Sequence, residues 1–115
     1  MAWRIEVAAE AEHDLALLFQ HFADSYRVLG ASRDEAAGQA ATRVRRIVEA
    51  TGRLAIAPHR GASHDDWLPG LRHLTLDGAI YWFQVQDTER RIRVLAIFFG
   101  GQDHQRGMLL RLLQP

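Results

Sequence analysis

The sequence predicts an α+β fold, a helical hairpin packed on a small, mostly antiparallel sheet in the order β-α-α-β-β-β-α. Three observations lead there. Two long apolar stripes at helical spacing are joined by a capping signal, and three strand-like runs are separated by turn residues. The chain is 115 residues long, 48% hydrophobic and 24% charged, which is the size and mixture of a single domain over residues 1–115.

Trp3, Ile5 and Val7 alternate with Arg4 and Glu6, the period-two pattern of a short half-buried strand. From Ala11 the apolar positions run through Leu15, Leu18, Phe22, Tyr26 and Leu29 in steps of three or four. They form one helix face, with Gly30 as its stop and Glu10, Glu12, Asp14 and Asp24 off that face. Ser32 and Glu35 have the spacing of a capping box for a second helix. Its stripe is Ala37, Ala40, Val44, Ile47 and Val48, closed at Thr51-Gly52, and its small residues suit an antiparallel pairing with the first helix.

Residues 53–70, RLAIAPHRGASHDDWLPG, carry turn formers and no sustained period, and read as a loop. Strands are expected over 71–76, 79–87 and 92–99, separated by Asp77-Gly78 and by the turn at 88–91. In the middle strand Tyr81, Phe83 and Val85 share a core face, while Ile80, Trp82, Gln84 and Gln86 share a mixed one. A final helix over 103–113 has Asp103 as its cap and Met108, Leu109, Leu112 and Leu113 at helical spacing.

Composition excludes several chemistries. All fourteen basic residues are arginine, so lysine Schiff bases and the P-loop are absent, and without cysteine there is no disulfide, thiol nucleophile or thiolate zinc site. The start, MAWRIEVAAEAEHD, lacks the features of a signal peptide, and no apolar run approaches the ~20 residues of a bilayer span. A cytoplasmic protein with no membrane contact is the expectation. Zero net charge hides an asymmetry: residues 1–40 hold seven acids against three arginines, and the remainder eleven arginines against seven acids. Such a basic half suits an acidic partner or a polyanion.

The order of elements and four local motifs resemble the RelE/ParE superfamily of toxins from bacterial type II toxin–antitoxin systems. The motifs are the run 91–103, RIRVLAIFFGGQD; Ala11 with Asp14-Leu15; the turn from Pro58 to Gly61; and Pro69-Gly70-Leu71-Arg72. The resemblance covers essentially the whole chain. It implies a protein toxic when free and neutralised by an antitoxin, but the fold leaves the chemistry open. RelE-like members cut messenger RNA on the ribosome, whereas ParE-like members inhibit DNA gyrase.

RNA cleavage through the 2′-hydroxyl needs a base, an acid and cations for the phosphate charge. The resemblance places the RelE-like lysines at His73 and Thr75, the strand arginine at Ile80, the arginine after the glycine at Gln102 and the late tyrosine near Met108. Those functions are missing except for a histidine, and Tyr81, the last tyrosine, falls on the core face. The expectation is therefore the ParE branch, not an enzyme of the RelE type, with no cofactor and no metal.

His104, beside Asp103, is the residual catalytic candidate for a divergent nuclease, with Arg93 as its cation. Arg72 and His73, adjacent in a strand, point to opposite faces, so only one can join a site. His59, His64, Asp65 and Asp66 match no metal-ligand spacing and read as a solvated polar loop. Arg43, Arg45 and Arg46 read as a solvated basic helix face. The residues expected to contact the target or the antitoxin are Arg72, Trp82, Arg93, Gln102, Asp103, His104, Arg106 and Arg111. Trp82 is among them for its mixed face, although a tryptophan at a strand centre usually packs. A cognate antitoxin in a hetero-oligomer, and DNA gyrase or else the ribosome, are the implied partners.

Overall fold

In the computed structural model, which describes residues 2–114, the elements run β1 (Arg4–Val7), α1 (Ala9–Val28), α2 (Arg33–Ala50), a 3-10 turn (Thr51–Ala55), β2 (Ala62–Ser63), β3 (Leu71–Leu76), β4 (Ala79–Gln86), β5 (Arg91–Phe99) and α3 (His104–Leu112). One five-stranded sheet has the spatial order β1-β5-β4-β3-β2. Strand β1 is parallel to β5, and the other neighbours are antiparallel. This is the predicted α+β arrangement with one strand more, since β2 lies in the stretch read as loop. Two residues are too few to show a period, and what makes them a strand is their pairing with His73 and Arg72. Gly61 permits that pairing: its φ is +87°, and a Cβ there would sit 2.2 Å from the His73 carbonyl oxygen.

Local signals account for most boundaries. The Ser32 hydroxyl accepts from the Glu35 amide at 3.2 Å and the Glu35 carboxylate from the Ser32 amide at 3.1 Å, a complete capping box. Asp77 and Gly78 both have positive φ, as a tight two-residue hairpin turn requires. Helix α2 ends at Ala50 with Thr51 as its C-cap, the expected close. The chain tightens there into the 3-10 turn, and the Thr51 hydroxyl donates to the Val48 carbonyl. Two stripe residues fall away from the core, Leu29 at 82% and Val48 at 41% exposure, and Asp14, expected off the stripe, is buried.

Under the helix pair, Ala11, Leu18, Phe22, Ala40 and Ile47 pack against Tyr81, Phe83, Val85, Ile92, Val94 and Ile97. A β-bulge sets which residues reach this layer. Trp82 pairs with Ala96 and Phe83 with Val94, which leaves Leu95 over in β5. The extra residue reverses the alternation, so that Ile97 joins Ile92 and Val94 under the helices while Ala96 and Phe98 face the other side. There α3 lies on a second, smaller cluster of Leu71, Ile80, Trp82, Ala96, Phe98 and Met108. Among the described residues, no helix is long and apolar enough to cross a membrane.

Candidate functional site on the open face of the sheet

The face turned away from the helix pair carries Trp82 at its centre, fully buried beneath other rings. Trp67 stacks on it at 5.5 Å and 9°, His64 lies 4.7 Å and His73 4.6 Å from it between centroids, and His104 approaches at 5.7 Å. Three segments bring these rings together. His73 is opposite Trp82 in the β3–β4 register. His104 is the first residue of α3. His64 and Trp67 come from the turn after β2, where the Trp67 and Leu68 amides donate to the His64 carbonyl and the Asp65 carboxylate accepts from the Gly70 amide and the Ser63 hydroxyl. Gly70, at φ +81°, closes that turn, since a Cβ would lie 2.5 Å from the Val85 carbonyl oxygen.

Polar contacts fix the imidazoles. His64 Nε2 and His73 Nδ1 share a hydrogen bond of 2.7 Å, and the Trp82 indole N–H donates to His104 Nδ1 at 3.2 Å. The latter bond requires a lone pair on Nδ1, so His104 carries its proton on Nε2. Burial holds the His73 imidazole below its ordinary 6.5, and the charges that His64 and His104 would carry push it the same way.

The same face continues toward β1 as a row of Gln84, Arg93 and Glu6, in register across three strands. Arg93 Nε is 3.3 Å from a Glu6 carboxylate oxygen but has no aligned hydrogen bond, so the contact is an ion pair without a donor–acceptor fit. Glu6 is shared with Arg91 at 3.6 Å.

Beyond the end of β1 the margin of β5 would be bare, and a buried ion pair covers it. Asp14 accepts from the Ile97 amide at 3.0 Å and takes both Arg111 nitrogens at 2.8 Å, while Arg111 also donates to the Leu95 carbonyl at 3.0 Å. This clamp ties α1, β5 and α3 together. Bonding to Asp14 raises the Arg111 guanidinium above its ordinary value. Alongside it runs a groove of about 350 Å³ lined by Leu17, Leu18, His21, Ile97, Phe98 and Phe99. Leu17 on one bank and Leu110 on α3 are more than half exposed.

Several expected contact residues are placed differently. Trp82 has no exposed surface, the packing that its strand-centre position favoured. Arg111 is a structural clamp, with both terminal nitrogens of its guanidinium bonded within the fold. Arg72 is in register with Phe83, on the opposite face of the sheet from Arg93, and donates to the Gly61 carbonyl. His64 is no solvated loop residue but part of the stack. Arg43 lies over the Phe22 and Phe99 rings at 4.2 and 4.7 Å, so it is not simply a solvated cation.

Gln102, Asp103 and Arg106 are exposed, Gln102 accepting from the Phe99 amide and Asp103 capping α3 through the Arg106 amide. His59 pairs with Asp87 at 2.7 Å, away from the imidazole group. Among the described residues no cluster of three or more acids or histidines has the geometry to hold a metal ion.

Two of the positions that the resemblance sets against RelE-like catalytic groups, Ile80 and Met108, lie in the core, buried in the apolar cluster beside Trp82. Tyr81 donates to the Ile47 carbonyl at 2.8 Å under the helix pair, and burial, with Asp77 nearby, pushes its hydroxyl up to about 12. Sequence reasoning missed Asp14 and the His64–Trp67 pair. Asp14 was legible, because Ala11, Asp14 and Leu18 share the spacing of one helix face. The stack was not, because it depends on the β2–β3 pairing.

No family model matches the sequence, and no curated protein matches it. Solved structures do. A chain from the chromosomal ParDE toxin–antitoxin system of P. aeruginosa aligns with 85% of this chain and 96% of its own, at 26% identity and a TM-score of 0.62. A chain of the RelBE2 toxin–antitoxin complex of Mycobacterium tuberculosis aligns with 89% of this chain and 95% of its own, at 13% identity and 0.60. A double arginine-to-alanine variant of the E. coli toxin RelE in the free state aligns with 99% of this chain and 100% of its own, at 12% identity and 0.60.

Proposed function

The chain is a RelE/ParE-superfamily protein by fold, and from that premise we propose that it is the toxin of a type II toxin–antitoxin system, one toxin domain over residues 1–115, acting in the cytoplasm. It is of the ParE kind, inhibiting DNA gyrase by binding and neutralised by a cognate antitoxin. The observation that carries this reading is the content of the open face. Where an RNA-cleaving member needs cations and a late hydroxyl, this chain packs Ile80, Trp82, Phe98 and Met108 under α3. The match to a ParDE chain at 26% identity supports the same branch.

The groove beside the Asp14–Arg111 clamp, with the exposed Leu17 on its bank, suits an apolar helix or extended segment of the antitoxin. Arg93 and Arg106 are the basic groups left for its acidic residues. Induced expression should arrest growth, and co-expression of the small neighbouring gene should restore it. Purified toxin should block gyrase supercoiling. Supercoiling untouched at concentrations that arrest growth would sink the gyrase reading, and normal growth on induction would reduce the protein to a binding module without toxicity.

One observation favours a second reading, a ribosome-dependent messenger RNA endonuclease. His64, His73 and His104 gather on the open face near Arg93, and imidazoles are the natural acid–base groups near neutral pH. Transcripts cleaved in cells expressing the wild type but intact with His104→Ala would establish it over the first.

A further inference from the structure

Three imidazoles converge on Trp82, and among the described residues none of them has a carboxylate partner. The groups facing them are His64 and Trp67 from the turn after β2, His73 from β3, Trp82 from β4, Phe98 from β5 and His104 from α3. None of these carries a compensating negative charge. The neighbouring acids are turned away: Asp65 is held by the Gly70 amide and the Ser63 hydroxyl, and Asp103 by the Arg106 amide. Asp66 and Arg106 follow on the same segments, and neither is hydrogen-bonded to a ring of the cluster.

Each imidazole is held by a contact that a proton would cost. His104 accepts the Trp82 indole proton on Nδ1, and an imidazolium would present N–H to N–H. It is also the first residue of α3, at the positive end of the helix dipole. The 2.7 Å His64–His73 bond needs a lone pair on one ring, so the pair resists a second charge. His73 lies 4.9 Å from His64 and 5.0 Å from His104 between centroids, so protons on any two repel.

We propose that this cluster is an acid-sensitive latch: as the imidazoles take up protons, the turn at 64–68 and the first turn of α3 leave Trp82, while the helix pair and its side of the sheet stay folded. The side chains that tie these segments to the sheet are these rings and Leu68, and the 2.8 Å bond from the His64 amide to the Leu71 carbonyl is the backbone hinge about which the turn swings. The far end of α3 keeps its own anchors in Met108 and the Asp14–Arg111 clamp, and Gly101, at φ +97°, precedes the helix as a pivot. Opening uncovers Trp82, on which the rings of the moving segments lie. The latch rests on the geometry of the rings and does not require the toxin reading.

The test is a titration of the intact protein from pH 8 to pH 4.5, followed by near-ultraviolet circular dichroism for the stacked indoles, far-ultraviolet dichroism for the helices, and imidazole NMR for the protons. The indole signal should fall with a midpoint below the ordinary imidazole value of 6.5, in step with the imidazole shifts and with the far-ultraviolet signal retained. The variant His64→Gln/His73→Gln should lose that step, and His59→Gln should keep it. An indole signal that stays constant while the imidazoles titrate, or one that falls only together with the helices, overturns the latch. If the double variant fails to fold, the wild-type titration decides alone.

Discussion

Beneath the helix pair, Phe22, Leu54, Phe83, Ile92 and Val94 are almost wholly out of water and contact one another through hydrocarbon alone, with Tyr81 contributing one satisfied hydroxyl. Across the sheet, the layer around Trp82 is smaller, and it is fastened by an indole stack, imidazole hydrogen bonds and one ion pair. Burial of apolar area is insensitive to pH and gains with every methylene, whereas stacked imidazoles and a clamped arginine depend on a few groups in fixed protonation states. The first layer should therefore decide whether the chain folds, and the second whether α3 and the turn at 64–68 are seated.

The strongest way to test that division is in the larger core. Phe22→Ala should cost about 3–5 kcal/mol and unfold the molecule as a unit, read as a large drop in denaturation midpoint with the transition still cooperative. Asp14→Ala comes next, at about 3 kcal/mol, because it strands the Arg111 guanidinium and the Ile97 amide together. A double-mutant cycle with Arg111→Met should recover part of that loss. If Asp14→Ala were as mild as an exposed substitution, the clamp would not hold α3.

Trp67→Ala should cost only about 1–2 kcal/mol but abolish the stacked-indole signal, since the ring is partly exposed and what is lost is its stack on Trp82 and its contact with the His64 ring. A fourth comparison uses pH. The unfolded chain binds a proton at His73 near pH 6.5 while the folded chain resists it, so stability is complete above 6.5 and falls as pH drops through that value. His73→Gln should flatten that slope in the denaturation midpoint. The smallest effect is expected at Arg53, whose pair with Asp77 is half or more in water: Arg53→Gln should change stability by less than about 0.5 kcal/mol. A larger change there would mean that the turn at Asp77 is coupled to the core.

What could be read from the residues was local. The capping box at Ser32, the Asp77-Gly78 turn and the cap at Asp103 each lie within a few residues of their partners, so their chemistry is complete in a short window. The stripes located both helices, and the alternation in β4 placed Tyr81, Phe83 and Val85 under them correctly.

What the tertiary structure alone decided is every contact across long sequence separation. Asp14 and Arg111 lie 97 positions apart, and nothing near either one announces that the margin of β5 beyond β1 needs both a donor and an acceptor. The β2 strand exists only against β3, and with it the nine-residue separation of His64 and His73 becomes a hydrogen bond. The bulge at Leu95 sends Ile97 and Phe98 to opposite layers by a register that only the paired strands define. The sequence determined the helices, the turns and the fold they assemble. Burial and strand pairing, which sum over the whole chain, determined which charges are free, which are spent on structure, and that three histidines share one tryptophan.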